Sequence, residues 1–300
     1  MNTILIGTAS WTDKSLVDSG LFYPGTVRTP EDRLRFYATR FGVVEVDSTY
    51  YGLPSERNAQ LWVGRTPAGF VFDVKAFRLF TGHQTSPTAL PKDIRDALGA
   101  TGKRNFYYRD LPEEIVDELW SRFGSAIEPL KQAGKMGAVL FQFAPWFIFA
   151  PSNLAHVLRC QEMLEGFQLA VEFRNKSWFS DKRRAEVLAF EREHGLVHVV
   201  VDEPQGFPSS IPTVWEATCR DLAIVRLHGR NREMWERKNL ATSAERFNYL
   251  YSEAELADLA EPVRKLSATT RRVHVLFNNC HEDKAPRNAL QFARILDQGA

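Results

Sequence analysis

Short apolar runs rich in β-branched and aromatic residues recur along the whole chain, and the segments between them space their apolar positions as helices do. Eight runs have strand length: Ile4–Gly7, Val43–Val46, Val71–Val74, Ala138–Phe143, Gln168–Phe173, Val197–Val201, Ala223–Leu227 and Val273–Phe277. Continuous apolar character, rather than alternation, marks strands buried on both faces, as in a parallel sheet covered by helices. Helix signals lie between them. Thr29-Pro30-Glu31 reads as an N-cap with proline at the first helical position, and Pro112-Glu113-Glu114 opens a helix running to about Gln132. Gly195 stops a helix over Lys182–His194, Ser252 and Glu255 form a capping box before Leu256–Leu266, and Pro286 opens the last helix. Strand and helix alternate throughout, so the pattern predicts an α/β fold, a closed (β/α)8 TIM barrel forming one domain over residues 1–300. An open doubly wound sheet would need its nucleotide fingerprint. Gly7-Thr8-Ala9-Ser10 carries a single glycine after the first strand, and neither GxGxxG nor a P-loop occurs.

Two connections exceed ordinary turns, Ala76 to Leu111 after strand 3 and Gly229 to Tyr251 after strand 7. Both follow strand C-termini, the face on which barrel enzymes build their sites. The first holds Gly102-Lys103-Arg104-Asn105-Phe106-Tyr107-Tyr108-Arg109, where basic residues interleave with aromatics. A solvated loop anchored by its aromatics is the favoured reading, and a nucleic-acid patch the alternative. The second holds Trp235 in a charged stretch and is expected to close over a ligand.

Composition narrows the partners. Lys and Arg number 38 against 37 Asp and Glu, a net charge of +1, which argues against a protein built to coat nucleic acid or an anionic membrane. The three cysteines, Cys160, Cys219 and Cys280, are far apart without CxxC spacing, so the sequence offers no disulfide framework or thiolate zinc site. The start lacks a basic, apolar leader, and the most apolar stretch, Ala138 to Ala150, is too short for a membrane span and includes Gln142 and Pro145. The expected location is the cytoplasm, with no membrane partner.

Charge reappears at the strand ends, where a barrel would bring it to one mouth. Candidate catalytic groups are Glu45, Lys75, Glu172, Asp202 and His228. Candidate substrate-binding groups are Trp11, Tyr51, His83, Gln142, Arg174, Trp178, Arg226, Asn278 and Asn279. Strand alternation makes Glu172 and Arg174 share a face, as do Arg226 and His228, and Asp73 and Lys75. Turned inward, these charges must pair with one another or await a ligand, because a buried unpaired charge costs several kcal/mol. Tyr23 and Trp235 also fall where they could wall the pocket, whereas His198 and His274 sit mid-strand and read as packed core.

The motifs carrying these residues occur in an order that resembles the YecE-like family, known as domain of unknown function 72. They are Ile6-Gly7-Thr8-Ala9-Ser10-Trp11, Phe22-Tyr23-Pro24, Glu45-Val46-Asp47-Ser48-Thr49-Tyr50-Tyr51, Phe72-Asp73-Val74-Lys75, Leu140-Phe141-Gln142-Phe143, Glu172-Phe173-Arg174 with Ser177-Trp178, Arg226-Leu227-His228-Gly229-Arg230, Tyr249-Leu250-Tyr251-Ser252 and Phe277-Asn278-Asn279. The resemblance spans essentially the entire chain and implies a single TIM-barrel domain of a chiefly prokaryotic family, without implying a reaction. Two departures are mild: Asp47 stands where the family motif has asparagine, and Phe143-Ala144-Pro145 where leucine and prolines are usual.

Residue types at the mouth favour an enzyme working on a small anionic molecule, a phosphate ester or carboxylate, by acid–base chemistry. Arg174 and Arg226 would clamp the anion, Lys75 would act as point charge or acid, and Glu172 or Glu45 would move protons with His228. A Schiff base on Lys75 is a variant. The alternatives are metal-dependent phosphodiester hydrolysis on Glu45, Glu172, Asp202 and His228, as in xylose-isomerase-like barrels, and a non-catalytic anion binder. No cofactor or metal is assigned, nucleic acid is the less favoured partner, and the sequence does not set an oligomeric state. Glycosidase chemistry is set aside, since Gln142 and His228 occupy the strand ends where the paired acids usually stand.

Overall fold

The computed structural model describes residues 2–99, 104–240 and 242–298. Eight strands, β1 (Thr3–Ala9), β2 (Val43–Val46), β3 (Val71–Lys75), β4 (Met136–Gln142), β5 (Leu169–Glu172), β6 (Val197–Asp202), β7 (Leu222–Leu227) and β8 (Arg272–Phe277), pair in parallel and in chain order. Pairing of β8 with β1 closes the barrel. Among the described residues ten helices accompany them: α1 (Lys14–Ser19), α2 (Pro30–Ala38), α3 (Ser48–Tyr51), α4 (Glu56–Gly64), α5 (Lys92–Leu98), α6 (Glu113–Gln132), α7 (Pro151–Met163), α8 (Arg184–Glu193), α9 (Glu253–Thr269) and α10 (Lys284–Gln298). The (β/α)8 expectation holds, and every predicted strand is present within two residues of its expected ends. Among the described residues no helix is long and apolar enough to cross a membrane.

Local signals place the helices. Thr29 Oγ1 accepts from Asp32 N while the Asp32 carboxylate accepts from Thr29 N, and Ser252 and Glu255 form the same reciprocal box at α9. Helix α6 buries Val116, Leu119, Trp120, Phe123, Ile127 and Leu130, a three- and four-residue spacing that lays one face on the sheet. Trp120 stacks on Phe80 with ring centroids 3.5 Å apart. Pro286 lies at the third position of α10 rather than the first. A proline is tolerated there because the first-turn N–H groups have no helical acceptor.

Strict strand–helix alternation fails once. Residues 203–221 join β6 to β7 without a helix. Pro204, Pro208 and Pro212 recur every four residues and Gly206 adopts a φ of 91°, so the part of the connection up to Pro212 cannot propagate i→i−4 hydrogen bonds. The connection after β3 holds two 3-10 turns and α5, tied by an antiparallel bridge between Thr85 and Phe106. Gly102 and Lys103 lie outside the described residues. In the remainder of that loop the aromatics serve as anchors: Phe106 is buried, Tyr108 Oη accepts from Trp120 Nε1 at 3.0 Å, and Tyr107 Oη accepts from Gln84 Nε2 at 2.8 Å.

Polar residues enter the barrel interior even below the mouth. Asp73 of β3 accepts from Ala138 N at 2.9 Å and from His274 Nδ1 at 2.8 Å, with both side chains fully buried. A carboxylate has no proton to give, so Nδ1 of His274 carries one. The Asp73 carboxylate sits where β3 and β4 slip register, between Phe72 and Val74, and satisfies a backbone donor there.

Candidate active site

Closure of the sheet brings the C-terminal ends of β2, β3, β4, β5, β7 and β8 around one ion cluster. Its centre is Arg226, fully buried. The guanidinium donates to both Glu45 oxygens, from Nε at 2.9 Å and Nη2 at 2.7 Å, while Nη1 donates to Gln142 Oε1 at 3.0 Å and to Glu172. Such a fork matches carboxylate geometry and satisfies a charge that would otherwise be costly to bury. Four of the five N–H groups of this fully buried guanidinium are therefore committed to protein groups, which corrects the expectation that Arg226 clamps a substrate anion.

Toward β2 and β3 the cluster opens. Lys75 Nζ lies 3.0 Å from Asp47 Oδ1, with side chains 12% and 25% exposed, against 0% for Glu45 and Glu172. Thr49 Oγ1 donates to Lys75 O at 2.6 Å and to Val46 O at 2.8 Å, tying the short α3 to β3. That tie sets Tyr50 over Lys75, 5.0 Å from Nζ to the ring centre. His83 packs edge-on between Tyr50 and Trp146, as part of the wall. Tyr51 instead is 64% exposed and meets Tyr50 edge-on, so Tyr50 is the tyrosine that touches the lysine.

Toward β5, β6 and β8 lie Arg174, Glu203, His228 and Asn278. Arg174 donates to Glu172 at 3.3 Å and pairs with Glu203 at 2.6 Å. Asn278 Nδ2 donates to His228 Nδ1 at 2.6 Å, so the imidazole proton sits on Nε2, which faces Glu172 Oε1 at 3.5 Å. Four carboxyls, Glu45, Asp47, Glu172 and Glu203, thus meet three cations, Lys75, Arg174 and Arg226. Burial pushes the Glu45 carboxyl up to about 8 past the pull of Arg226, and Asp47 adds to the rise. Glu172 goes the other way. Burial opposes its charge, but Arg226 and His228 outweigh burial and hold it well below the usual carboxylate range.

Four expected site residues fall outside the interior. Asp202 shares the outward face of β6 with His198, where it accepts from Arg230 Nη2 and from Tyr251 Oη, each at 2.7 Å. Its neighbour Glu203 turns inward to Arg174 instead, because alternation sends consecutive side chains to opposite faces. Trp178 stacks on Phe173 at 3.7 Å and donates to Phe147 O, within the layer between sheet and helices. Trp11 meets Trp62 and Phe72 in the same layer. Asn279 is buried and donates to Tyr249 O and Asn288 Oδ1, which ties the end of β8 to α10. With Asp202 turned away, the set Glu45, Glu172, Asp202 and His228 is not assembled. Among the described residues no three His, Cys, Asp or Glu side chains are arranged to hold a metal ion.

Residues 5–300 match the model of the protein family of unknown function DUF72. The chain belongs to the DUF72 family. It is 32% identical over 296 residues to UPF0759 protein YunF of Bacillus subtilis, covering 98% of this chain and 95% of that one. A DUF72 structure from Thermotoga maritima is 33% identical, with a TM-score of 0.76 over 98% of this chain and 99% of that one. Another from Enterococcus faecalis is 27% identical, with a TM-score of 0.81 over 98% and 96%. These likenesses carry the TIM-barrel fold and the family, and no reaction. In this DUF72 protein the strand-end motifs meet as follows: Glu45 and Asp47 of one motif stand on either side of Lys75 and Arg226, contributed by two others. Asp47, Tyr50 and Glu203 are mouth residues that the strand-end motifs contain but that the candidate catalytic and binding groups did not include. The partner that an inward Arg174 requires was the available signal for Glu203.

Two buried histidines of this DUF72 barrel give stability a pH dependence. Burial lowers His228 to about 4 despite Glu172, and lowers His83 to about 4 with help from Arg78 and Lys75. Both values lie below the ordinary 6.5, so the unfolded chain takes up these protons first. Their contribution is complete above about pH 6.5 and is lost as the pH falls toward 4. Glu45 has the opposite sign: its contribution is full below about 4.5 and is lost as the pH rises through about 8. His83→Asn, which can keep the bond to Thr81, should flatten the loss of stability between pH 6.5 and 4 by up to roughly 3 kcal/mol. Urea midpoints for both proteins across that window measure it, and parallel curves would refute it.

Proposed function

We propose that the barrel mouth is an acid–base active site for a small anionic molecule. One observation carries this reading: an ion cluster that is closed around Arg226 but open at Lys75 and Asp47 occupies the C-terminal face. Packing this many charges costs stability that an apolar interior would not lose, which is the signature of a site kept for chemistry. Lys75 and Asp47 reach the reacting atoms. Lys75 stabilises negative charge as it develops, and Asp47, whose charge adds to the rise at the Glu45 carboxyl, exchanges a proton with it. A Glu45 carboxyl poised near neutral pH suits that exchange, since a proton relay works best with a pKa close to the working pH. His228 stays neutral and donates from Nε2 toward the substrate side of Glu172.

The test is an incubation of the full chain in D2O with a panel of phosphate esters and carboxylic acids, followed by NMR and mass spectrometry. Wild type should turn over or deuterate at least one member. Lys75→Met and Asp47→Asn should each slow that reaction about 10²- to 10⁴-fold, the usual contribution of one acid–base group. Binding without turnover or exchange across the panel would leave a non-catalytic anion binder and defeat the proposal.

A further inference from the structure

Every cation of the mouth cluster already has a carboxylate: Lys75 has Asp47, Arg226 has Glu45 and Glu172, and Arg174 has Glu172 and Glu203. An anionic substrate must therefore place its charge on other groups. Beside the mouth, between the ends of β5 and the connections after β6 and β7, lies a cleft of about 480 Å3 lined in part by Arg174, Lys176, Ser209, Trp235, Arg246 and Phe247. It is continuous with the cluster at two points. Arg174 belongs to both, and the Phe247 ring lies 6.0 Å from that of His228.

The cleft has a surplus of positive charge. Neither Lys176 nor Arg246 has an ion-pair partner among the described residues. One lining carboxylate, Glu236, offsets part of that charge; its Oε1 accepts from Ser209 N at 3.1 Å and from Ser209 Oγ at 2.8 Å. Donors are also in surplus. Arg246 donates from Nη2 to Arg237 O, yet among the described residues its Nε has no acceptor. The indole Nε1 of Trp235, a residue only 8% exposed, has none either. Buried donors of this kind are expensive unless a ligand satisfies them.

We propose that this cleft holds the phosphate of a phosphorylated, hydroxylated molecule of the sugar phosphate class, and thereby selects the substrate of the mouth. The inference rests on the acid–base reading above. A phosphoryl group carries close to two negative charges and three acceptor oxygens, matching Lys176 and Arg246 in charge and adding a site for an indole N–H. A carboxylate has one charge and two oxygens and leaves part of that set unmatched. The indole and Phe247 rings present flat apolar walls suited to the C–H face of a sugar skeleton. Beyond them, Gln142, Asn278, Lys75 and Asp47 offer the mixed donors and acceptors that hydroxyl groups require.

Calorimetric titration of the full chain with ribose 5-phosphate, ribose, gluconate and inorganic phosphate tests the assignment. Ribose 5-phosphate should bind, inorganic phosphate should bind more weakly and compete with it, and ribose and gluconate should bind at least about tenfold more weakly than ribose 5-phosphate. The double variant K176M/R246M should lose more than about tenfold of the ribose 5-phosphate affinity, because each charge-assisted hydrogen bond exceeds the free energy of one decade. Its denaturation midpoint serves as the check on folding. Absence of phosphate binding, unchanged affinity in the double variant, or equal affinity for gluconate would each overturn the assignment. Binding that the double variant abolishes, without turnover of any member of the panel, would uphold the cleft and defeat the acid–base reading. Turnover of an anion at the same KM in K176M/R246M would do the reverse.

Discussion

Arg226→Met should cost the protein about 3–5 kcal/mol of stability at neutral pH, the usual penalty for removing one partner from a buried ion pair. The side chains are similar in length, so the loss does not come from a large cavity. It comes from Glu45 and Glu172, which are fully buried and would lose the guanidinium that both of them share. Gln142 would lose a donor as well. Two results distinguish this account from simple loss of packing. The deficit should shrink as the pH falls, because a buried carboxyl without its cation binds a proton more readily folded than unfolded and gains relative stability in acid. Adding Glu172→Gln to Arg226→Met should recover part of the loss, whereas Glu172→Gln alone should destabilise. Denaturant midpoints for the four proteins at pH 5 and 8 form the cycle. Additive penalties, or a deficit that does not change with pH, would show that Arg226 is not the electrostatic centre of the mouth.

Gly137→Ala should cost about 3 kcal/mol or more, although it adds one methyl group. A Cβ there would lie 2.1 Å from Asp73 Oδ1 and 2.9 Å from both His274 Cε1 and Val71 Cγ1. Overpacking by itself costs about 1–3 kcal/mol. The Asp73 carboxylate cannot move aside freely, since it accepts from Ala138 N and His274 Nδ1, and leaving either donor unpaired inside the barrel adds a further penalty of about 1–3 kcal/mol. Gly134→Ala serves as a contrast. Its φ of 66° makes that substitution a matter of backbone strain alone, with open space around the added atom. In an Asp73→Ala background the penalty of Gly137→Ala should fall, because the nearest atom is gone. Thermal or urea unfolding of Gly137→Ala at the wild-type midpoint would rule this account out.

Much of the barrel was legible in the sequence. A strand covered by helices outside and side chains inside must be apolar throughout, so Val43–Val46 and Val197–Val201 declare themselves without any partner in view. The N-cap at Thr29 and the capping box at Ser252 are local and were read correctly for the same reason, while the structure adds that Asp32 completes a box at Thr29 as well. The helix-free connection from β6 to β7 was also written locally, in Pro204, Pro208 and Pro212, but the regular alternation around it outweighed that signal. Trp11 and Trp178 were misread because an aromatic next to a strand end has the same sequence appearance whether it faces the pocket or the helices.

The site divides in the same way. By itself the sequence determined the fold class and the set of charges that the strands carry to one end of the barrel, since both follow from residue type and order. Which of those charges face each other was decided by the tertiary structure. Alternation makes Asp202 and Glu203 point to opposite sides but does not say which is inside; closure of the barrel chose Glu203, where Arg174 awaited a partner. Arg226 looked like a free clamp because its acceptors, Glu45 and Glu172, lie 181 and 54 residues away along the chain. Only the closed sheet brings them within hydrogen-bond reach, and a fully buried guanidinium needs such acceptors to offset its lost solvation.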